Sequence, residues 1–101
     1  MPLDFSVTIF NSNSSRNYVV RHKPINEREE LFIVQRESEK YLVKSNRPLI
    51  RQYARKRRPD MTVSSDIKTT WSFNEKLMEA IWLYVQKAEA SGGPLYIKPN
   101  P

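Results

Sequence analysis

The residues best suited to chemistry lie in one basic segment, residues 47–58, with the sequence Arg-Pro-Leu-Ile-Arg-Gln-Tyr-Ala-Arg-Lys-Arg-Arg. It holds six of the seventeen lysines and arginines and none of the eleven aspartates and glutamates, so the formal net charge of +6 comes entirely from this segment. Nucleic-acid phosphate is the commonest partner of such a charge cluster, because each neutralised phosphate releases condensed counterions. The sequence therefore predicts a non-enzymatic nucleic-acid-binding protein with a regulatory or accessory role.

The geometry of the segment strengthens this prediction if the segment is helical, which the sequence leaves open. Asn46 would cap the helix and Pro59 would end it. Four arginines would then lie within about 80° of one another at 3.6 residues per turn, and the guanidinium fork suits phosphate oxygens. A solvated basic turn is the alternative. The predicted nucleic-acid-binding residues are Arg47, Arg51, Tyr53, Arg55, Lys56, Arg57 and Arg58, extended by Arg16 and Arg21.

The extension rests on a second, weaker pattern in the N-terminal part of the chain. Arg16 and Arg21 stand beside Tyr18 and His22, and would lengthen a cationic groove with a ring on which a base could stack. The alternative is that these cations only solubilise the surface, because glutamates nearby balance them.

The end of the basic segment also bears on location and partners. Residues 55–59, Arg-Lys-Arg-Arg-Pro, resemble a nuclear localisation signal. We expect an intracellular protein without membrane contact, nuclear in a eukaryotic host or in a virus of one, and cytoplasmic otherwise. A protein-interaction module or inhibitor that docks the basic segment on an acidic partner is the alternative function.

Residue types exclude several kinds of enzyme. The chain has two glycines, Gly92 and Gly93, so it cannot form a Walker loop or a dinucleotide-binding fingerprint. Its single histidine, His22, and its lack of cysteine leave no Cys–His pair and no zinc cluster. We expect neither catalysis nor a cofactor nor a bound metal.

One short motif favours an enzyme instead. Pro59-Asp60 followed by Asp66-Ile67-Lys68 resembles the P-D…D-x-K pattern of the metal-dependent nuclease superfamily. The resemblance implies that two carboxylates hold Mg²⁺ and that the lysine steadies the attacking water. It covers ten residues, with five between the two aspartates. A metal-dependent nuclease is therefore a minor alternative.

The N-terminal half of the chain predicts two β-hairpins. Apolar and polar residues alternate over 3–9, which is typical of a strand with one buried face. Polar residues 11–17 predict a loop, and 18–22 predict a second strand stopped by Pro24. Residues 31–36 and 40–44 predict the second hairpin. A helix from Asn26 is the alternative, but four consecutive apolar residues at 31–34 give no helical stripe.

The C-terminal half predicts one long helix over 72–90, with Ser72 and Glu75 as a capping box and Gly92-Gly93-Pro94 after its end. Its apolar face covers about half the cylinder, so the helix is either wedged between the sheet and another element or packed on a second subunit. Trp82 lies far from the centre of the apolar stripe, and we therefore expect a homodimer. The predicted interface residues are Met78, Trp82 and Val85.

The shorter elements complete the predicted fold. Residues 61–63 and 67–71 predict short extended pieces, and 95–98 an edge strand or a loose tail. We expect one domain over residues 1–101, of the α+β class. Its small antiparallel sheet of two hairpins packs on the C-terminal helix, with a short basic helix or loop at 47–58.

Overall fold

The computed structural model describes residues 3–26, 28–46 and 58–90. The elements in chain order are β1 (Leu3–Asn11), β2 (Ser14–Asn26), β3 (Glu29–Arg36), β4 (Glu39–Ser45), β5 (Met61–Ser64) and α1 (Trp71–Ala90). All five strands form one antiparallel sheet in the order β1-β2-β3-β4-β5, so each strand pairs with the next along the chain. The predicted α+β class, an antiparallel sheet packed on a C-terminal helix, is confirmed.

The core lies between one face of the sheet and the apolar side of α1. Alternate residues of each strand point into it, as the period of two in β1 predicts. Each large apolar side chain buried there contributes roughly 1.5–3 kcal/mol relative to an exposed one. The buried core residues are Phe5, Val7, Ile9, Tyr18, Val20, Phe32, Val34, Tyr41, Val43, Leu77, Met78, Ile81, Trp82 and Val85.

Helix α1 packs on the two edge strands of the sheet, β1 and β5. The ring of Phe5 on β1 stacks on Tyr84, with 3.9 Å between centroids, and Lys76 Nζ donates a hydrogen bond to the carbonyl oxygen of Phe10 at 3.0 Å. On the other side, Met61 and Val63 of β5 pack against the core. A helix that touches both edges requires the sheet to curve around it. This curvature accounts for the width of the apolar face of the helix.

The first hairpin is confirmed, but its predicted loop over 11–17 is wrong. β1 and β2 stay paired as far as Asn11 and Ser14, which leaves a two-residue turn. The polar side chains pair across the strands instead, as in the hydrogen bond from Thr8 Oγ1 to Asn17 Oδ1 at 2.7 Å. β2 also continues through Pro24 to Asn26, because a register shift between these residues accommodates the missing N–H.

The second hairpin is confirmed, with β3 and β4 slightly longer than predicted. A two-residue turn joins the strands, and Glu37 in that turn has a φ of 55°, in the left-handed region. The alternative helix from Asn26 does not form. The side chain of Asn26 instead accepts a hydrogen bond from the Arg28 amide at 2.8 Å and closes the turn between β2 and β3.

The predicted helix is confirmed over Trp71–Ala90, but its predicted capping box is wrong. Thr70 caps the helix: its Oγ1 accepts from the Phe73 amide at 3.1 Å, and its carbonyl oxygen accepts from the Asn74 amide at 3.0 Å. Ser72 therefore lies inside the first turn rather than before it. The sequence Thr70-Trp71-Ser72-Phe73 contains the cap without the acidic partner that marks a capping box, so that pattern did not identify it.

Of the remaining predicted elements, one is confirmed and one is wrong. The short strand predicted at 61–63 is confirmed as β5. The extended piece predicted at 67–71 is wrong, because residues 65–70 form the connection to α1 and Trp71 is already helical. The glycine stop and the edge strand at 95–98 lie outside the described residues. Within the described ranges, no helix has both the length and the apolar character needed to cross a membrane.

The cap assignment gives a stability prediction. We expect Thr70→Ala to lower the free energy of unfolding by about 1 kcal/mol, because it leaves a helix N–H without its partner. Ser72→Ala, two residues away inside the first turn, is the matched control and should change it by less than about 0.5 kcal/mol. Urea denaturation followed by circular dichroism measures both. A larger loss for Ser72→Ala would contradict the assignment.

Candidate nucleic-acid interface

The structure describes the residues on either side of the basic segment and one of its cations, Arg58. Arg47, Arg51, Tyr53, Arg55, Lys56 and Arg57 lie outside the described residues, so the predicted helix or loop over 47–57 stays a prediction. The chain leaves β4 at Ser45, and β5 begins at Met61, the pairing partner of Ser45. Because β4 and β5 are neighbours, the two strand ends that flank the segment meet at one end of the sheet.

Asn46 and Asp60 hold these two ends together, and we call this pair the stem. The Asn46 amide donates to the Asp60 carbonyl oxygen at 3.2 Å, and the Asp60 amide donates to Asn46 Oδ1 at 3.0 Å. A third hydrogen bond joins Asn46 Nδ2 to Asp60 Oδ2 at 3.3 Å. Asn46, predicted as a helix cap, thus closes the stem across the segment.

Arg58 attaches the segment to the helix. Its guanidinium lies 3.2 Å from Glu75 Oε2 and 3.6 Å from Glu79 Oε2, and its side chain is 27% exposed. These two carboxylates form ion pairs with the guanidinium group of Arg58, which the prediction had assigned to phosphate. Arg58 therefore links the chain that precedes β5 to α1.

The structure does not bring Arg16 and Arg21 together. The two residues are five apart on β2, so they lie on opposite faces of the sheet. Arg21 is exposed and pairs with Asp4 at 3.3 Å. The rings of Tyr18 and His22, predicted for stacking, are buried in the core. A shared cationic groove with a stacking ring is therefore excluded by the positions of these four residues.

Arg16 instead lines a small cavity at the end of the sheet where α1 begins. The cavity has a volume of about 270 Å³, and Glu39 and Tyr41 line it with Arg16. Tyr41 donates a hydrogen bond to Glu39 at 2.5 Å, and Arg36 lies 3.4 Å from the other oxygen of the same carboxylate. Burial, with the hydrogen bond to Glu39 and its negative charge, raises the pKa of Tyr41 well above its ordinary value.

The predicted interface residues Met78, Trp82 and Val85 lie inside the protomer. Trp82 is only 3% exposed, and all three side chains belong to the core. The expectation that they form an exposed outer flank is wrong, because the curved sheet also covers this side of α1. A homodimer stays a prediction, without the surface that the sequence assigned to it.

The two aspartates of the nuclease-like motif stand at opposite ends of β5. Asp60 precedes the strand, where it forms the stem, and Asp66 follows it. Four extended residues alone span roughly 13 Å, so the two carboxylates do not converge on one ion. Among the described residues, no group of three histidine, aspartate or glutamate side chains is placed to hold a metal.

Sequence reasoning missed a buried polar cluster next to the stem. Glu30 is 1% exposed: its Oε1 lies 2.7 Å from His22 Nε2, and its Oε2 accepts from Ser45 Oγ at 3.0 Å. The signal was present in the alternation, since each of the three residues continues the inward-facing series of its strand. The carboxylate stands between the serine and the histidine, so the cluster does not have the order that would activate a serine nucleophile.

No family model, curated protein or solved structure matches the chain. The candidate site therefore rests on its own geometry. Asn46 and Asp60 close the stem, and Arg58 is anchored to α1 by two carboxylates. A buried polar cluster beside them ties β2, β3 and β4 together.

The buried cluster gives a stability prediction with a neighbouring control. We expect Glu30→Ala to lower the free energy of unfolding by about 3 kcal/mol or more, because it removes the buried carboxylate that His22 and Ser45 both contact. Glu29→Ala removes an exposed ion pair with Lys44 (3.2 Å) on the other face and should cost less than about 1 kcal/mol. Urea denaturation measures both, and equal losses would contradict a structural role for the cluster.

The environment of Tyr41 predicts a pH dependence. In the unfolded chain the tyrosine ionises near pH 10, at about its ordinary pKa, whereas in the folded protein it stays neutral to higher pH. The stabilising contribution is therefore complete below about pH 10 and is lost as the pH rises above that value. Urea unfolding at rising pH should show a steeper loss in the wild type than in Tyr41→Phe. Parallel curves for the two proteins would contradict this.

Proposed function

We propose that this protein binds nucleic acid without acting on it chemically, through phosphate contacts from residues 47–57. The observation that carries the proposal is the combination of charge and closure. Five cations and no acidic residue lie in these eleven positions, and the stem fixes both ends of the segment. Each phosphate that a cation neutralises releases counterions, which supplies affinity independent of base sequence.

The stem lowers the conformational entropy that the segment loses when it binds a ligand. A segment with free ends loses much conformational entropy when it orders on a ligand, and closing its ends beforehand removes part of that loss. The Arg58 ion pairs with Glu75 and Glu79 add a second restraint on the β5 side. The neighbouring buried cluster of His22, Glu30 and Ser45 holds the strands from which the stem projects.

Further cations lie at the same end of the sheet as the stem. Lys23 is near the end of β2, and Arg28 is in the turn that follows it, and both are exposed. Lys44 precedes the stem on β4, where Glu29 balances part of its charge. Charges within about a Debye length, roughly 10 Å at 0.1 M salt, raise the local positive potential around a bound phosphate backbone.

Salt dependence is the direct test of this proposal. With four to five phosphate contacts, we expect log K against log salt to fall with a slope of about −3 to −4.5. Fluorescence anisotropy with labelled single-stranded and duplex DNA and RNA measures it and ranks the nucleic acids. Absence of measurable binding at low salt, for all of these probes, would overturn the proposal.

A charge-reversal pair locates the contact. Arg51→Glu combined with Arg55→Glu should weaken binding at least tenfold, a loss of about 1.4 kcal/mol. Lys40→Glu combined with Lys68→Glu is the matched control, because it changes the net charge equally at the opposite end of the sheet. We expect the control to weaken binding less than about threefold, by screened long-range effects alone. Equal losses in the two variants would place the contact outside the segment.

A further inference from the structure

The face of the sheet turned away from α1, here called the open face, carries an apolar centre. Ile33 of β3 is the register partner of Leu42 on β4, and Leu31 lies two residues along β3 on the same face. Val19 of β2 adds to the centre and is 55% exposed, while the other three side chains are partly exposed. Four aliphatic side chains thus lie on the same face of three adjacent strands.

The sequence of β3 is that of a strand covered on both sides. Its four central residues, 31–34, are all apolar, so the strand presents aliphatic side chains both to the core and to the open face. β1 differs, since Asp4, Ser6 and Thr8 occupy three of its outward positions, and an exposed apolar residue, Phe10, occurs only near the end of the strand. Strands with one solvated face normally alternate as β1 does, and continuous apolar runs are typical of strands buried on both faces. In the structure, α1 covers one face of β3, and the aliphatic side chains of its other face are partly exposed.

Cations surround the apolar centre. Lys23 and Lys44 are the register partners of Leu31 on either side, and Arg21 is the partner of Ile33. Lys40 lies next along β4 at the other end of the patch. Two of these charges have a carboxylate on the same face, Asp4 for Arg21 and Glu29 for Lys44. Lys23 and Lys40 have no ion pair with any described residue, so the rim is net positive.

The apolar centre and the cationic rim of the open face indicate which kind of molecule it can bind. The centre is aliphatic and offers no aromatic ring on which a base could stack. A second copy of the chain placed face to face would set one cationic rim against another. A protein helix with an apolar stripe flanked by aspartate and glutamate satisfies both the centre and the rim.

We propose that the open face binds an acidic amphipathic helix of a protein partner, with Val19, Leu31, Ile33 and Leu42 against its apolar stripe. Arg21, Lys23, Lys40 and Lys44 then meet its flanking carboxylates. The surface does not involve residues 47–57, so it stands or falls independently of nucleic-acid binding through that segment.

Selection from a random peptide library displayed on phage tests the chemistry without a known partner. The full chain serves as bait, and the double variant Ile33→Thr, Leu42→Thr is used for counter-selection. Threonine keeps a high strand propensity, so the sheet is retained while the apolar centre is removed. We expect the enriched peptides to be acidic, with apolar residues at i, i+3, i+4 and i+7. Enrichment of peptides without that stripe, or of none above background, would overturn the proposal.

Variants with an enriched peptide then locate the contact. Lys23→Glu combined with Lys40→Glu, two exposed substitutions, should weaken the synthetic peptide at least tenfold, and the loss should shrink at high salt. Leu83→Thr replaces an exposed leucine on α1 and is the matched control for the threonine variant of the open face. It should leave the affinity for the peptide unchanged. Backbone amide shifts in β2, β3 and β4 should change on titration with the peptide. Peptide-induced shifts confined to other elements would overturn the proposal. Shifts at Val19, Ile33 and Leu42 that appear with an oligonucleotide and are absent with the peptide would also overturn it.

Discussion

Burial of the apolar side of α1 inside the curve of the sheet is the interaction on which the rest of the structure depends. The helix packs on β1 through Phe5 and Tyr84 and on β5 near Val63, which are strands at opposite edges. Each edge strand alone would cover part of the apolar arc, and the two together with the strands between them bury Leu77, Met78, Ile81, Trp82 and Val85. This packing fixes how far the sheet curves, and therefore where the ends of β4 and β5 stand when the basic segment leaves them.

The candidate site depends on a polar interaction that the core encloses. One carboxylate oxygen of Glu30 accepts a hydrogen bond from Ser45, and the other lies beside the ring of His22. These contacts tie three strands together at one end of the sheet. A buried carboxylate is costly unless it is hydrogen-bonded, so the cluster favours one register of the strands. The stem of Asn46 and Asp60 continues directly from that end. The stem is thus supported from inside the fold.

Much of the fold followed from alternation and helical periodicity. β1 and α1 were predicted because their apolar spacing reflects burial directly, and the second hairpin and β5 were predicted because their residue types favour strands. The 11–17 loop was mispredicted because turn propensity is a local preference, and the register set by Val7 and Tyr18 overrode it. Trp82 was misplaced because a helix wheel gives the direction of a side chain without the curvature of the surface that it meets. Such curvature comes from contacts distant in sequence.

The candidate site could be predicted from the sequence only in part, because several of its contacts join residues that are distant in the chain. Charge clustering identifies residues 47–58 without any structure, since composition is local. The ion pairs of Arg58 with Glu75 and Glu79 and the stem link residues far apart in the chain, and no spacing rule contains them. Glu30 could have been recognised, because it shares the inward-facing series of Phe32 and Val34. Its partners depend on strand pairing.

The contact between Lys76 and Phe10 has a consequence for the behaviour of the protein at high concentration. Outward-facing amides and carbonyls on an edge strand can template another strand, and intermolecular sheet growth begins at such edges. The ammonium of Lys76 occupies an outward carbonyl of β1 and places a charge that an incoming strand would have to desolvate. The same helix that fills the core therefore also protects one end of β1 from aggregation.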